Sequence, residues 1–180
     1  MPVVCTTTLP AVRADYCTKG TAFGQINTIY YTRVGDGLTD WSSASEWNSR
    51  LDNTTAAPSS GDYPIRYLNV IGSLTHPEQN QVDISLDRVA YSSPEFTLNF
   101  AIDDVGDDNY DFAQTTVANN GGIYACWFAS GGYMYGGTDG TQMSMNLYPD
   151  IPEDSTDIMR IRGTLVWTGG LPDRIANPLA

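Results

Sequence analysis

The chain has 180 residues, 41% of them hydrophobic and only 17% charged, with 21 acidic against 9 basic residues and a net charge of −12. That length suits one domain, which buries roughly 70% of its unfolded surface and so has a core without a metal or disulfide staple. The acidic balance repels phosphate backbones and argues against sequence-specific nucleic-acid binding, and no apolar run is long enough for a membrane helix.

The opening "MPVVCTTTLP" carries neither a basic n-region nor an apolar h-region, so no secretory signal is expected in it. Residues 1–22 show no period and read as an extended N-terminal arm. Next, "FGQINTIYYTR" (Phe23–Arg33) is rich in β-branched and aromatic residues and predicts a strand. In "LTDWSSASEWNSRL" the residues Trp41, Ala44, Trp47 and Leu51 share one face of a helix over 40–51. Thr39 or Asp40 can cap it, or Ser43 in a capping box with Glu46. The segment "DNTTAAPSSGDYP" that follows is a loop by composition.

From Pro64 the pattern turns to β. "IRYLNVIGSL" predicts a strand, and "QVDISLDRV" a second, with Val82, Ile84 and Leu86 alternating against Asp83, Ser85 and Asp87. "EFTLNFAI" alternates Phe96, Leu98, Phe100 and Ile102 against polar or small residues, as a half-buried strand does. "DDNYDFAQTTVANN" predicts a short helix capped by Asp107 or Asp108, with Tyr110, Ala113 and Val117 on one side. Ile123–Ala129 is apolar on both faces, which marks a central or interface strand. Glycine turns flank "YMY" (133–135). "TQMSMNLY" then aligns Met143, Met145 and Leu147, and the closing strand sets Met159, Ile161, Leu165 and Trp167 against Arg160, Arg162 and Thr164. The tail 171–180 has no period and reads as a C-terminal arm. The expected organisation is a single β-rich domain over 23–170, mainly β: an antiparallel β-sandwich or barrel with two short helices and extended terminal arms.

Chemistry has few carriers. The only histidine, His76, stands before a proline in a polar turn, which leaves no Ser-His-Asp triad and no histidine-based metal site. Cys5, Cys17 and Cys126 form no CxxC pair. An odd set favours free thiols in a reducing compartment, with a Cys5–Cys17 bridge as the alternative. The sole lysine, Lys19, lies in the N-terminal arm and offers poor support for Schiff-base chemistry. No phosphate-binding glycine motif is present. "DDVGDDNYD" (Asp103, Asp104, Asp107, Asp108, Asp111) is the best calcium candidate, but it lacks the EF-hand spacing and its closing glutamate; a solvated turn before a helix N-terminus explains it better. Tyr133 and Tyr135 share a side of an extended "YMY" and could stack on a sugar; a hairpin core is the competing reading. No residue is assigned a catalytic, cofactor-binding or metal-binding role, and no cofactor is expected.

Residues from about Ile65 to Gly170 resemble structural proteins of tailed-bacteriophage virions, most closely tail-tube-type subunits. The resemblance rests on the order "FTLNFAIDD", the short helix "NYDFAQTTVANN", "GGIYACWFAS" and the closing "MRIRGTLVWTGG". It implies a non-enzymatic, self-assembling virion protein made in the host cytoplasm. Its partners would be copies of itself in a ring, tube or shell, and other virion proteins. The short "TAAPSSGDYP" loop departs from the pattern and leaves head decoration, connector and fibre attachment open beside the tail tube. A soluble carbohydrate-binding β-sandwich is the alternative from another class. A DNA conduit would set carboxylates such as Asp83 and Asp87 on its wall, with Arg160 and Arg162 meeting acidic groups of a neighbour.

Overall fold

A computed structural model describes residues 24–54, 62–75, 77, 81–85, 88–118, 121–153 and 156–180. The N-terminal arm with Cys5, Cys17 and Lys19, and also His76 and Asp87, lie outside the described residues.

Six strands close into an antiparallel barrel. They are β1 (Ile26–Thr32), β2 (Arg66–Leu74), β5 (Glu95–Ile102), β9 (Arg160–Thr168), β8 (Thr141–Asp150) and β6 (Gly122–Ser130), in that spatial order, with β6 pairing back onto β1. The register of β1 shifts between Ile26 and Thr28 against both of its neighbours. Such a bulge bends a strand and raises its twist, which helps a sheet to close. Two short strands extend the sheet beyond β6: β7 (Tyr133–Tyr135) takes over where β8 leaves, and β10 (Arg174–Ala176) pairs with β7. The sandwich-or-barrel expectation therefore resolves to a barrel.

The alternation read in "EFTLNFAI" is the inward face of β5: Phe96, Leu98, Phe100 and Ile102 are all buried. They meet Met143, Met145 and Leu147 from β8 and Ile161, Leu165 and Trp167 from β9. Each such side chain contributes about 1.5–3 kcal/mol on burial. The barrel is thus filled by side chains and is not itself a channel. Gly163 faces inward between Phe100 and Leu147, and a methyl group there would overlap the Phe100 ring.

The outer face of β1 and β6 is buried as well. Tyr30, Ala125, Trp127 and Ala129 form a second core with Leu38, Trp47, Ile65 and Met134. Helix α1 (Ala44–Arg50) covers this face, which explains why β6 is apolar on both sides. Trp47 meets Trp127 edge-on at 5.3 Å and Tyr30 at 5.2 Å. α1 starts at Ser43, whose side chain accepts from the Glu46 amide, so the later of the expected caps is used. The Glu46 carboxylate accepts instead from the amides of Thr39 and Asp40. Trp41 consequently precedes the helix and is half-buried, while its carbonyl accepts from Trp47 Nε1 at 2.8 Å. The tail 171–180 is an arm that lies on its own barrel: β10 pairs with β7, and Ile175 and Leu179 pack on the second core.

Two expectations are corrected. "QVDISLDRV" is not one strand but the start of a hairpin, β3 (Gln81–Ser85) with β4 (Arg88–Tyr91), because a period of two cannot reveal where a chain reverses. Helix α2 (Asp107–Ala118) buries Ala113 and Thr116, with Phe112 packed beside them, while Tyr110 and Val117 are exposed. α2 plugs a barrel end, where small residues allow close approach and Phe112 stacks on Tyr31 at 5.2 Å. Both stripes satisfy helical spacing; only the barrel end chooses between them.

Candidate functional site

Antiparallel order places the end of β1, the start of β2, the end of β5, the start of β6, the end of β8 and the start of β9 together. This is the end that α2 plugs. The opposite end carries the β3–β4 hairpin, inserted between β2 and β5. β3 and β4 form a two-stranded sheet of their own and pair with no strand of the barrel.

At the plugged end a cleft of about 680 Å³ opens between β1, β2 and the first turn of α2, lined by Arg66, Tyr67, Asn69, Asp104, Asp107 and Asp108 among others. Asn53 spans the main chain of Tyr67, donating to its carbonyl at 3.0 Å and accepting from its amide at 2.9 Å. Arg66 donates to the Asp52 carbonyl, Asp104 accepts from the Gly106 amide, and Asn109 donates to the Asp104 carbonyl. These bonds fix the walls of the cleft. Tyr110 donates its amide to the Gly106 carbonyl, so Gly106 holds the cap position expected of Asp107 or Asp108. Those two aspartates occupy the first helical turn, where carboxylates are favoured by the free amides. Among the described residues no three His, Cys, Asp or Glu side chains converge on a metal position; Asp104, Asp107 and Asp108 line the cleft.

The tyrosines of "YMY" do extend, with Met134 buried between them. Each ring has one face engaged. Tyr135 stacks on Phe128 at 4.9 Å, and Arg174 lies 4.3 Å over the ring of Tyr133. The surrounding glycines make room for Trp127: a Cβ at Gly136 or Gly140 would meet its indole, whose Nε1 donates to the Gly137 carbonyl at 2.6 Å. In this structure the stretch builds the second core around Trp127.

Arg160 and Arg162, expected to meet a neighbour, pair within the chain. Arg160 Nε lies 2.8 Å from Asp103, and Arg162 hydrogen-bonds Asp150, which raises the Arg162 pKa. Both pairs are solvent-exposed, and such pairs contribute little. Asp83 lies in β3 opposite Val89. Cys126 faces the barrel interior as a free thiol, and burial pushes its pKa up, as burial does for Tyr31 and Tyr124. A raised pKa keeps the thiol protonated and inert.

Sequence reasoning missed two features. Arg50 donates to the carbonyls of Asp36, Gly37 and Tyr63, tying α1 to two loops. A second miss is the group of large apolar side chains exposed at the plugged end: Val117, Ile123, Tyr148, Ile151, Ile158 and Met159. The signal was present in the polar context of Ile151 and Ile158, which belong to no periodic run. Among the described residues no helix is long and apolar enough to cross a membrane. No protein-family model, curated protein or solved structure matches the chain.

Proposed function

We propose that the protein is a non-enzymatic structural subunit that assembles with copies of itself. Among virion roles the tail tube is the first choice, with head decoration and connector as near variants. The observation that carries this reading is the β3–β4 hairpin, a two-stranded sheet with no further partner strand among the described residues. An isolated hairpin is marginal in water, and a third strand or a packed face stabilises it. A neighbouring subunit supplies that face. Two further points agree. The barrel interior is filled, so a conduit would be enclosed by several copies around a shared axis rather than by one barrel. The net charge of −12 suits a wall past which DNA must slide.

The test is electron microscopy of the purified full chain, with light scattering across a concentration series. Rings, tubes or shell fragments are expected. A discrete monomer at every concentration, retained on immobilised glycans, would favour the carbohydrate-binding alternative instead.

A further inference from the structure

We propose that the cleft at the plugged end of the barrel is a binding site for a neutral, hydroxyl-rich ligand, a short oligosaccharide. The inference goes beyond the self-assembly reading and does not depend on it. It rests on the size of the cleft and on what lines it.

The cleft measures about 680 Å³. Sites for small molecules run from about 300 to 1,000 Å³. Its β2 wall is set before any ligand arrives. Asn53 grips both the carbonyl and the amide of Tyr67, and Arg66 is held by the Asp52 carbonyl. On the α2 side the Asp104 carboxylate is held by the Gly106 amide, and Asp107 and Asp108 follow in the first turn. Walls fixed in advance lower what binding costs in lost freedom.

Charge and polarity select the class of ligand. Asp104, Asp107 and Asp108 all line the cleft, so a phosphate or carboxylate ligand is repelled. Arg66 stands in the β2 wall, so an organic cation also meets its like. The two aliphatic residues of the lining, Leu68 and Ile102, are buried. A largely apolar ligand would therefore strip water from the carboxylates and put nothing in its place. A sugar meets none of these objections, because each of its hydroxyls both donates and accepts. The side chains of Asn69, Asp107 and Asp108 make no hydrogen bond to the described residues. They offer carboxylate acceptors on one wall and an amide, donor and acceptor together, on the other. Tyr67 lines the same wall as Asn69 and is 37% exposed, and the face of such a ring suits the C–H side of a pyranose.

The experiment is isothermal titration of the full chain with neutral trisaccharides of the gluco, galacto, manno and N-acetylglucosamine series. Spermidine is the cationic probe and glucose 6-phosphate the anionic one. At least one trisaccharide should bind with a Kd of about 1 mM or tighter, and neither charged probe should match it. Asp107→Ala with Asp108→Ala, and separately Tyr67→Ala, should each weaken that binding about tenfold. Thermal melts check that each variant folds, and Asn69→Ala, at an exposed position, replaces Tyr67→Ala if that variant does not. Tyr133→Ala should bind like wild type, which separates the cleft from the "YMY" tyrosines. A panel with no binder at that affinity overturns the proposal. So does spermidine binding more tightly than every sugar, which would make the cleft an acidic patch for cations. Sugar binding that the folded cleft variants leave unchanged lies elsewhere on the molecule and overturns it too. Each of these outcomes leaves the self-assembly reading to its own test by microscopy.

Discussion

At the scale of single residues the stability lies in the second core as much as in the barrel. Trp47 is fully buried between Tyr30 and Trp127 and donates its indole N–H to the chain just before its own helix. Trp47→Ala should cost about 3–5 kcal/mol, read from the urea midpoint; a loss below about 1 kcal/mol would mean α1 is not packed as described. The buried acids set a second expectation. Burial raises the folded-state pKa of Cys126, Tyr31 and Tyr124 above the ordinary values of 9.0 for the thiol and 10.0 for the phenols. The stability linked to these groups is present below those ordinary values and is lost as pH rises beyond them, because the unfolded chain releases their protons first. Urea midpoints should therefore fall between about pH 8 and about pH 10.5, and Cys126→Ala should remove the earliest part of that fall. An identical alkaline slope in the variant would show that the thiol takes no part.

Among the elements, those with strict alternation were legible from residues alone. Phe96 to Ile102 and Met143 to Leu147 each place every second side chain in the core, as their period requires. The double-faced β6 was also legible, because its apolar second face demanded a cover. Elements whose pattern admits two solutions were not. α2 offers two helical stripes, and the barrel end selects the one with Ala113 and Thr116. β10 spans only Arg174–Ala176, too short for any period, and its pairing with β7 arises from tertiary contact. The exposed apolar residues of the plugged end were legible only in part: the polar context of Ile151 and Ile158 marks them, while Val117 and Ile123 lie in runs whose period suggests burial. The arm reading of 171–180 becomes a measurable difference. Deleting 174–180 removes a strand pairing and uncovers part of the second core, which should cost about 2 kcal/mol and lower Tm by roughly 4–8 °C. An unchanged Tm with lost assembly would instead mean that this tail acts between copies.

For the molecule as a whole, the charge is carried without strong internal compensation. Arg160→Glu with Arg162→Glu would set like charges beside Asp103 and Asp150, where ion pairs now stand. The double variant should show a small drop in Tm at low salt and regain much of it at high salt, since exposed charges are screened within about 10 Å at 0.1 M. A salt-independent loss would point to packing rather than charge. The order of strands in the barrel also bears on how the chain is made. β9 sits between β5 and β8, and it is the last of the six barrel strands in the chain. Until residues 160–168 leave the ribosome, the other five strands can form only an open sheet, β5-β2-β1-β6-β8, with two bare edges. Bare edges beside an exposed apolar face are where nascent chains stick to one another. A chain stopped after Asp157 should therefore aggregate on synthesis. A peptide spanning 159–169, supplied during refolding, should rescue it by sliding in as the missing stave.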